Sequence, residues 1–203
     1  VTSQPTHARA VVIHGYRATP DDHWFPWLAD RLDAAGTPTY VPALPGADDP
    51  DRVAWLAATA KAVGTPDKGT AVIAHSLGCL TVLRYLAALP GEWRLGHLIL
   101  VAGFLDPLPA LPELDAYIES GCDVSAIPEH LDHLTIFRSD EDELVPTTHT
   151  DRLAGLLGVT ARAVPGAGHF LADDGITELA EVVDALQGVR PSGGRATRSC
   201  ARL

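Results

Sequence analysis

The sequence predicts an α/β protein in one domain: a sheet of about six parallel strands with helices on both faces. Three observations carry that expectation. Short apolar runs alternate with longer segments of helical periodicity from residue 8 to residue 186. The central runs, Ala71–Ala74 and His97–Ala102, are almost wholly apolar, as strands covered on both faces are. A chain of 203 residues has room for one sizeable core and no need of a second.

The elements follow in order. Ala8–His14 reads as a buried strand that ends at Gly15-Tyr16, and His23–Ala35 as a helix with Trp24, Trp27, Leu28 and Leu32 on one face, closed by Gly36. Thr39–Val41 is a second strand, stopped by Pro42. The loop ALPGADDPD leads into a helix over Asp51–Val63, with Trp55 and Leu56 facing inward. Ala71–Ala74 is the third strand. Leu80, Leu83 and Leu86-Ala87 then set a helix behind it, and His97–Ala102 is the fourth strand. Residues 104–130 are Pro-rich and break the rhythm, with one short helix around Leu111–Glu119. Strand Leu134–Arg138, a helix near Thr148–Leu157, strand Thr160–Val164 and a helix from Gly175 to Leu186 complete the pattern. There is no internal repeat.

Composition narrows the function classes. The formal net charge is −11, yet residues 190–203 carry Arg190, Arg195, Arg198 and Arg202 and no acid. Removing these four charges leaves −15 on residues 1–189, a body that repels phosphates, so nucleic-acid binding is not expected. The tail 190–203 is Gly-, Ser- and Arg-rich with almost nothing to bury, and is expected to be a disordered appendage to a domain of residues 1–189. No apolar run approaches the roughly 20 residues of a membrane span, and the N-terminus lacks the pattern of a secretory signal. Cys79, Cys122 and Cys200 are scattered, without metal-ligand spacing, and read as free thiols of a cytoplasmic protein. The chain holds no Met and begins with Val1, so where translation starts is open.

The chemistry concentrates around Ala74-His75-Ser76-Leu77-Gly78. A serine between a buried strand and a helix, with small residues two before and two after, has the form of a nucleophile elbow. Taken alone it also fits an ordinary junction with Ser76 as a capping residue. A nucleophilic serine needs a base, and nine histidines compete. His169 stands just past the last strand in VPGAGHF, where two glycines allow the sharp loop that would carry an imidazole back over the sheet edge. His75 adjoins Ser76, but its side chain is expected to leave the turn in another direction. His14 is expected to support the loop at Gly15-Tyr16. The base in turn needs an acid, and Asp140, Glu141, Asp142 and Glu143 follow the fifth strand, with Asp106 after the fourth. Serine, acid and histidine each fall at a strand's carboxyl end, in the order used by hydrolases built on such sheets. The oxyanion donors would be the N–H groups of Leu77, next to the serine, and of Tyr16 after the first strand.

These stretches resemble a known family, the retinoblastoma-binding-protein-9-like serine hydrolases, small members of the alpha/beta-hydrolase superfamily. The likeness spans Val11 to Leu186 and is most specific in HGYRATPDDHWFPWL, AHSLGC, DELVP and GAGHF. It implies a six-stranded alpha/beta-hydrolase fold without a large cap domain and a Ser-Asp-His triad acting on esters or amides. Aligned on Asp-x-x-Val-Pro, the family's acid falls on Asp142.

The expectation is therefore a serine esterase acting on small acyl substrates through Ser76, His169 and Asp142, without metal or organic cofactor and with its oligomeric state open. A peptidase or thioesterase on the same triad is the alternative within enzymes. A protein-binding module that keeps the fold is the alternative outside them. Trp24 and Phe25, beside the first loop, are candidates to wall an acyl pocket, though anchoring the first helix is the commoner use of such residues. Cys79 is expected to be a small buried hydrophobe.

Overall fold

The computed structural model describes residues 7–188, so the basic tail and Cys200 lie outside the described residues. Six parallel strands form one sheet in the order β2-β1-β3-β4-β5-β6. They are β1 (Arg9–Ile13), β2 (Thr39–Tyr40), β3 (Thr70–His75), β4 (Leu95–Val101), β5 (Leu131–Ser139) and β6 (Arg162–Val164). The helices are α1 (Phe25–Ala34), α2 (Arg52–Val63), α3 (Leu77–Ala87), α4 (Asp115–Ile118), α5 (Thr147–Leu156) and α6 (Ala180–Leu186).

Alternation along the strands divides the core in two. Val11, Ile13, Val72, Ala74, Leu98, Leu100 and Ile136 face a layer built from α2, α3, α5 and the β4–β5 connection. Ala10, Val12, Ala71, Ile73, Ile99, Val101 and Phe137 face the other layer, built on Phe25, Leu28 and Leu32 of α1 and Val182, Ala185 and Leu186 of α6. The strand order reverses between β1 and β3, which pair in register from Arg9↔Thr70 to Ile13↔Ala74. The carboxyl ends of these two strands are therefore neighbours at the switch point, where open sheets leave a crevice.

The long β4–β5 connection does not rise into a cap. Leu105, Leu108, Leu114, Tyr117, Ile118, Val124 and Ile127 are buried against the α3 side of the core. Arg84 of α3 ties it down by donating to the carbonyls of Tyr117 (2.7 Å), Ile118 (2.6 Å) and Gly121 (3.2 Å). Among the described residues no helix is long and apolar enough to cross a membrane.

Most boundaries shift by one or two residues, and three differ from the sequence expectation in an instructive way. β5 begins at Leu131, because residues 131–134 pair with β4 from Leu95 onward although Asp132 and His133 are polar. The short helix expected over Leu111–Glu119 is split into a 3₁₀ turn at Pro112–Leu114 and the single turn of α4. The last helix starts at Ala180, not Gly175. Residues 172–174 form a separate 3₁₀ turn that Gly175 closes in a left-handed conformation (φ 83°).

Buried histidines tie stability to pH. His97 on β4 is 4% exposed, with its Nε2 3.1 Å from Thr135 Oγ1. Burial, aided by His7, His133 and Arg162, pushes its pKa down to about 3. Unfolded, it titrates near 6.5. Below that value the unfolded chain binds a proton that the folded chain refuses, so stability declines as pH falls. Each such histidine contributes up to about 1.4 kcal/mol per pH unit. The urea midpoint should therefore drop between pH 6.5 and 5, above the main carboxylate range, and His97→Gln should flatten the slope. A midpoint constant over that interval would contradict this account.

Candidate active site

The serine sits where β3 becomes α3. Ser76 adopts φ 53°, ψ −124°, a left-handed conformation costly for a residue with a side chain. Two backbone bonds hold it there, from Ser76 N–H to the Val101 carbonyl and from Cys79 N–H to the Ser76 carbonyl, each 2.9 Å. Although Ser76 occupies the cap position of α3, its hydroxyl caps nothing in the helix and is directed elsewhere. Gly78 makes the sharp turn possible. A Cβ there would lie 2.5 Å from the carbonyl oxygens of both Ile13 and His14, so α3 rests directly on the end of β1.

The Ser76 hydroxyl donates to His169 Nε2 at 2.9 Å, and His169 Nδ1–H donates to Asp142 Oδ2 at 2.8 Å. These donor assignments follow from the carboxylate, which only accepts and so fixes the imidazole proton on Nδ1. The remaining Asp142 oxygen accepts the N–H groups of Leu144 (2.9 Å) and Val145 (2.8 Å), so neither oxygen is left to wander. The His169 and Asp142 side chains are 7% and 3% exposed, and Ser76 is 5% exposed. Burial on that scale strengthens each of these contacts relative to water.

The loop after β1 packs on the serine. A Cβ at Gly15 would stand 2.8 Å from Ser76 Cβ and 3.4 Å from its Oγ. His14 braces this loop as its position suggests. Its Nε2 accepts from Leu44 N–H at 3.0 Å, which leaves the proton on Nδ1 to donate to the Gly15 carbonyl at 2.9 Å. Leu77 is the first residue of α3, whose N–H has no intrahelical partner. No hydrogen bond among the described residues uses the Tyr16 or Leu77 N–H. The Tyr16 ring is half-buried, its hydroxyl 3.4 Å from Glu113.

Other candidates resolve differently. Trp24 and Phe25, the candidates to wall an acyl pocket, are both 0% exposed and present no surface to an open cleft. They anchor α1 and pack against the His75 ring, with centroids at 6.0 Å and 5.9 Å. Asp106 pairs with Arg152 at 2.6 Å on the surface, away from His169. Asp140 accepts the N–H of Gly166 at 2.8 Å and so braces the loop that carries His169. Cys79 is fully buried, which pushes its thiol pKa far up and keeps it inert. A cleft of about 430 Å³ opens beside His169, lined also by Glu141, Glu143, Leu144, Leu171 and Asp174. Among the described residues no group of acids, histidines and cysteines is arranged to hold a metal ion.

Sequence reasoning missed two residues here. His75 Nε2 lies 2.9 Å from the His169 carbonyl oxygen, and Asp174 Oδ2 accepts the His169 N–H at 2.7 Å. Both bind the backbone of His169, a role no spacing motif advertises.

Comparison with known proteins identifies the family and the fold. A family model described as serine hydrolase matches residues 10–188. YdeN of Bacillus subtilis strain 168 is 38% identical over 175 residues, covering 86% of this chain and 92% of that protein. The crystal structure of the ydeN gene product superposes with a TM-score of 0.85 at 36% identity, over 89% of this chain and 97% of that one. A YdeN-like protein of Pectobacterium atrosepticum gives a TM-score of 0.64 at 17% identity, over 91% and 94% of the two chains, a likeness of fold. The fold is that of alpha/beta hydrolases. The match lies at the level of serine hydrolases, one step broader than the grouping the motifs resemble.

The close approach at Gly78 is open to direct test. Gly78→Ala should lower unfolding free energy by roughly 1–3 kcal/mol, since both contacts are backbone carbonyls that cannot swing aside. Equilibrium denaturation would measure it, and an unchanged midpoint would refute the packing argument.

Proposed function

The chain belongs to the serine hydrolase family, and on that premise we propose that it is a carboxylesterase-like enzyme cleaving small acyl esters through Ser76, His169 and Asp142. The observation that carries the reading is the buried relay from the serine hydroxyl to the imidazole to the carboxylate. His169 Nε2 takes the Ser76 proton as Oγ attacks the ester carbonyl. Asp142 keeps the imidazole in the required tautomer and compensates the imidazolium that forms. The N–H groups of Leu77 and Tyr16 receive the developing oxyanion. The imidazolium then protonates the departing alkoxide, and water repeats the sequence on the acyl-enzyme. These steps call for no metal or organic cofactor. The preference for small acyl groups rests on the tight approach of Gly15 to Ser76 and the low exposure of the serine.

A fluorophosphonate should label the protein once, at Ser76, and Ser76→Ala should take no label. Equal labelling of the variant would refute the nucleophile, and absence of labelling in both would favour a binding module. Among p-nitrophenyl esters, turnover should fall as the acyl chain lengthens.

The acids are separable by substitution. Asp142→Asn should keep the fold and lower kcat by roughly 10²- to 10⁴-fold, because the amide admits the wrong imidazole tautomer. Asp106→Asn, in an exposed ion pair, and Asp140→Asn, whose amide oxygen still accepts from Gly166, should each cost less than about tenfold. A crippled Asp106 or Asp140 variant beside an active Asp142→Asn would overturn the assignment.

A further inference from the structure

We propose that His75 is a positioning residue: its Nε2–H and the Asp174 carboxylate grip the backbone of His169 from opposite ends and so deliver the imidazole to Ser76. This rests on the reading of Ser76 and His169 as nucleophile and base.

The base is carried by an awkward segment. Between β6 and α6 the chain makes only turns and the short 3₁₀ segment at Ala172–Asp174, with a single backbone bond, from the Phe170 N–H to the Ala167 carbonyl (2.8 Å), spanning His169. Gly168 and Phe170, on either side of His169, both have positive φ, at 53° and 60°. β6 itself is three residues long and pairs with β5 alone. Such a loop does not by its own backbone hold an imidazole to the tolerance that proton transfer needs.

The grip supplies what the loop lacks. The His169 N–H donates to Asp174 Oδ2 at 2.7 Å, and the Leu171 N–H reaches the same oxygen at 3.1 Å. That carboxylate occupies the space a side chain at position 168 would need, so glycine is required there. At the other end the His169 carbonyl accepts from His75 at 2.9 Å. With Nδ1 and Nε2 engaged by Asp142 and Ser76, every polar group of His169 has a partner.

His75 is suited to this task. It ends β3, opposite Val101 of β4, and is 2% exposed. A carbonyl only accepts, so the proton sits on Nε2, and Nδ1 is left buried without a partner among the described residues. An orphaned buried acceptor is a cost that a hydrocarbon side chain of the same size avoids. Its ring lies 5.0 Å from that of His169 and 5.9 Å from that of His23. Burial first, then the neighbouring His169, His23 and His14, holds its pKa well below the usual histidine value, against the opposing pull of the His169 carbonyl. The ring is therefore a neutral donor that places no charge beside an imidazolium forming on His169.

The test compares His75→Leu, which keeps volume, with His75→Gln, whose amide nitrogen can reach the same carbonyl. Steady-state kinetics on a short p-nitrophenyl ester should show kcat down about 10- to 100-fold in the Leu variant with KM nearly unchanged, as expected of a slightly misplaced base. The Gln variant should regain most of the loss. Near-wild-type kcat in His75→Leu, or equal losses in Leu and Gln, would assign the ring to packing and overturn the proposal. Should neither variant fold, imidazole ¹⁵N–¹H spectra of the wild-type protein decide. A neutral Nε2–H tautomer of His75 at pH 6 supports the grip, and an Nδ1–H or charged ring overturns it. A wild-type protein that takes no fluorophosphonate at Ser76 would overturn the hydrolase reading and the grip with it, whereas Ser76-dependent hydrolysis preserves that reading whatever His75 does.

Discussion

Helix α3 begins within van der Waals reach of the β1 backbone only because nothing projects from Gly78. The other features at the sheet's carboxyl edge depend on that approach. It forces Ser76 into a left-handed conformation, a strain of about 1–3 kcal/mol for such a residue. The burial of α3 offsets the strain: Leu77 through Leu83, together with Tyr85 and Leu86, are all buried. The same approach sets the loop at Gly15 against the serine. The proposed nucleophile is therefore posed by packing, and its hydroxyl is free to bond outside the helix.

Charge around the serine is arranged by subtraction. His14, His23 and His75 all surround the site, and burial lowers the pKa of each, so they serve as neutral donors or acceptors. The one carboxylate bonded to the His169 ring is that of Asp142, whose second oxygen is already saturated by backbone. The acidic run after β5 thus divides its labour. Asp142 faces the imidazole, Asp140 holds the neighbouring loop at Gly166, and Glu141 and Glu143 remain at the surface. Four adjacent acids of similar chemistry do unlike things because strand β5 and Pro146 fix the two ends of the loop.

Much of this was legible in the sequence. Short apolar runs and period-3.6 patterns located all six strands and six helices among the described residues, because a sheet covered on both faces demands runs that few other structures need. That Ser76, His169 and Asp142 would meet was readable because each sits at a strand end between residues that force a turn. Boundaries failed where tertiary contacts overrode local pattern. β5 extends through Asp132 and His133 because β4 offers a ladder there. The last helix waits until Ala180 because Asp174 is spent on the His169 backbone. Trp24 and Phe25 left two readings open for another reason: aromatic residues beside a site loop look alike in sequence whether they line a cavity or fill the layer beneath it, and here both are fully buried.

The part played by His75 was nonetheless encoded, in a form that only the topology unlocks. Successive side chains of a strand point to opposite faces. With Ala74 packed on the α3 side, and Ala71 and Ile73 on the α1 and α6 side, the residue after Ala74 must project toward α1 and α6. The loop bearing His169 leads into α6, so it returns over that same face. A polar side chain at position 75 therefore meets the His169 loop of necessity, although 94 residues separate the two in sequence. Ser76 escapes the alternation because the turn into α3 breaks it. Adjacent residues of one motif thus reach His169 from two directions, the serine at its ring and the histidine at its backbone.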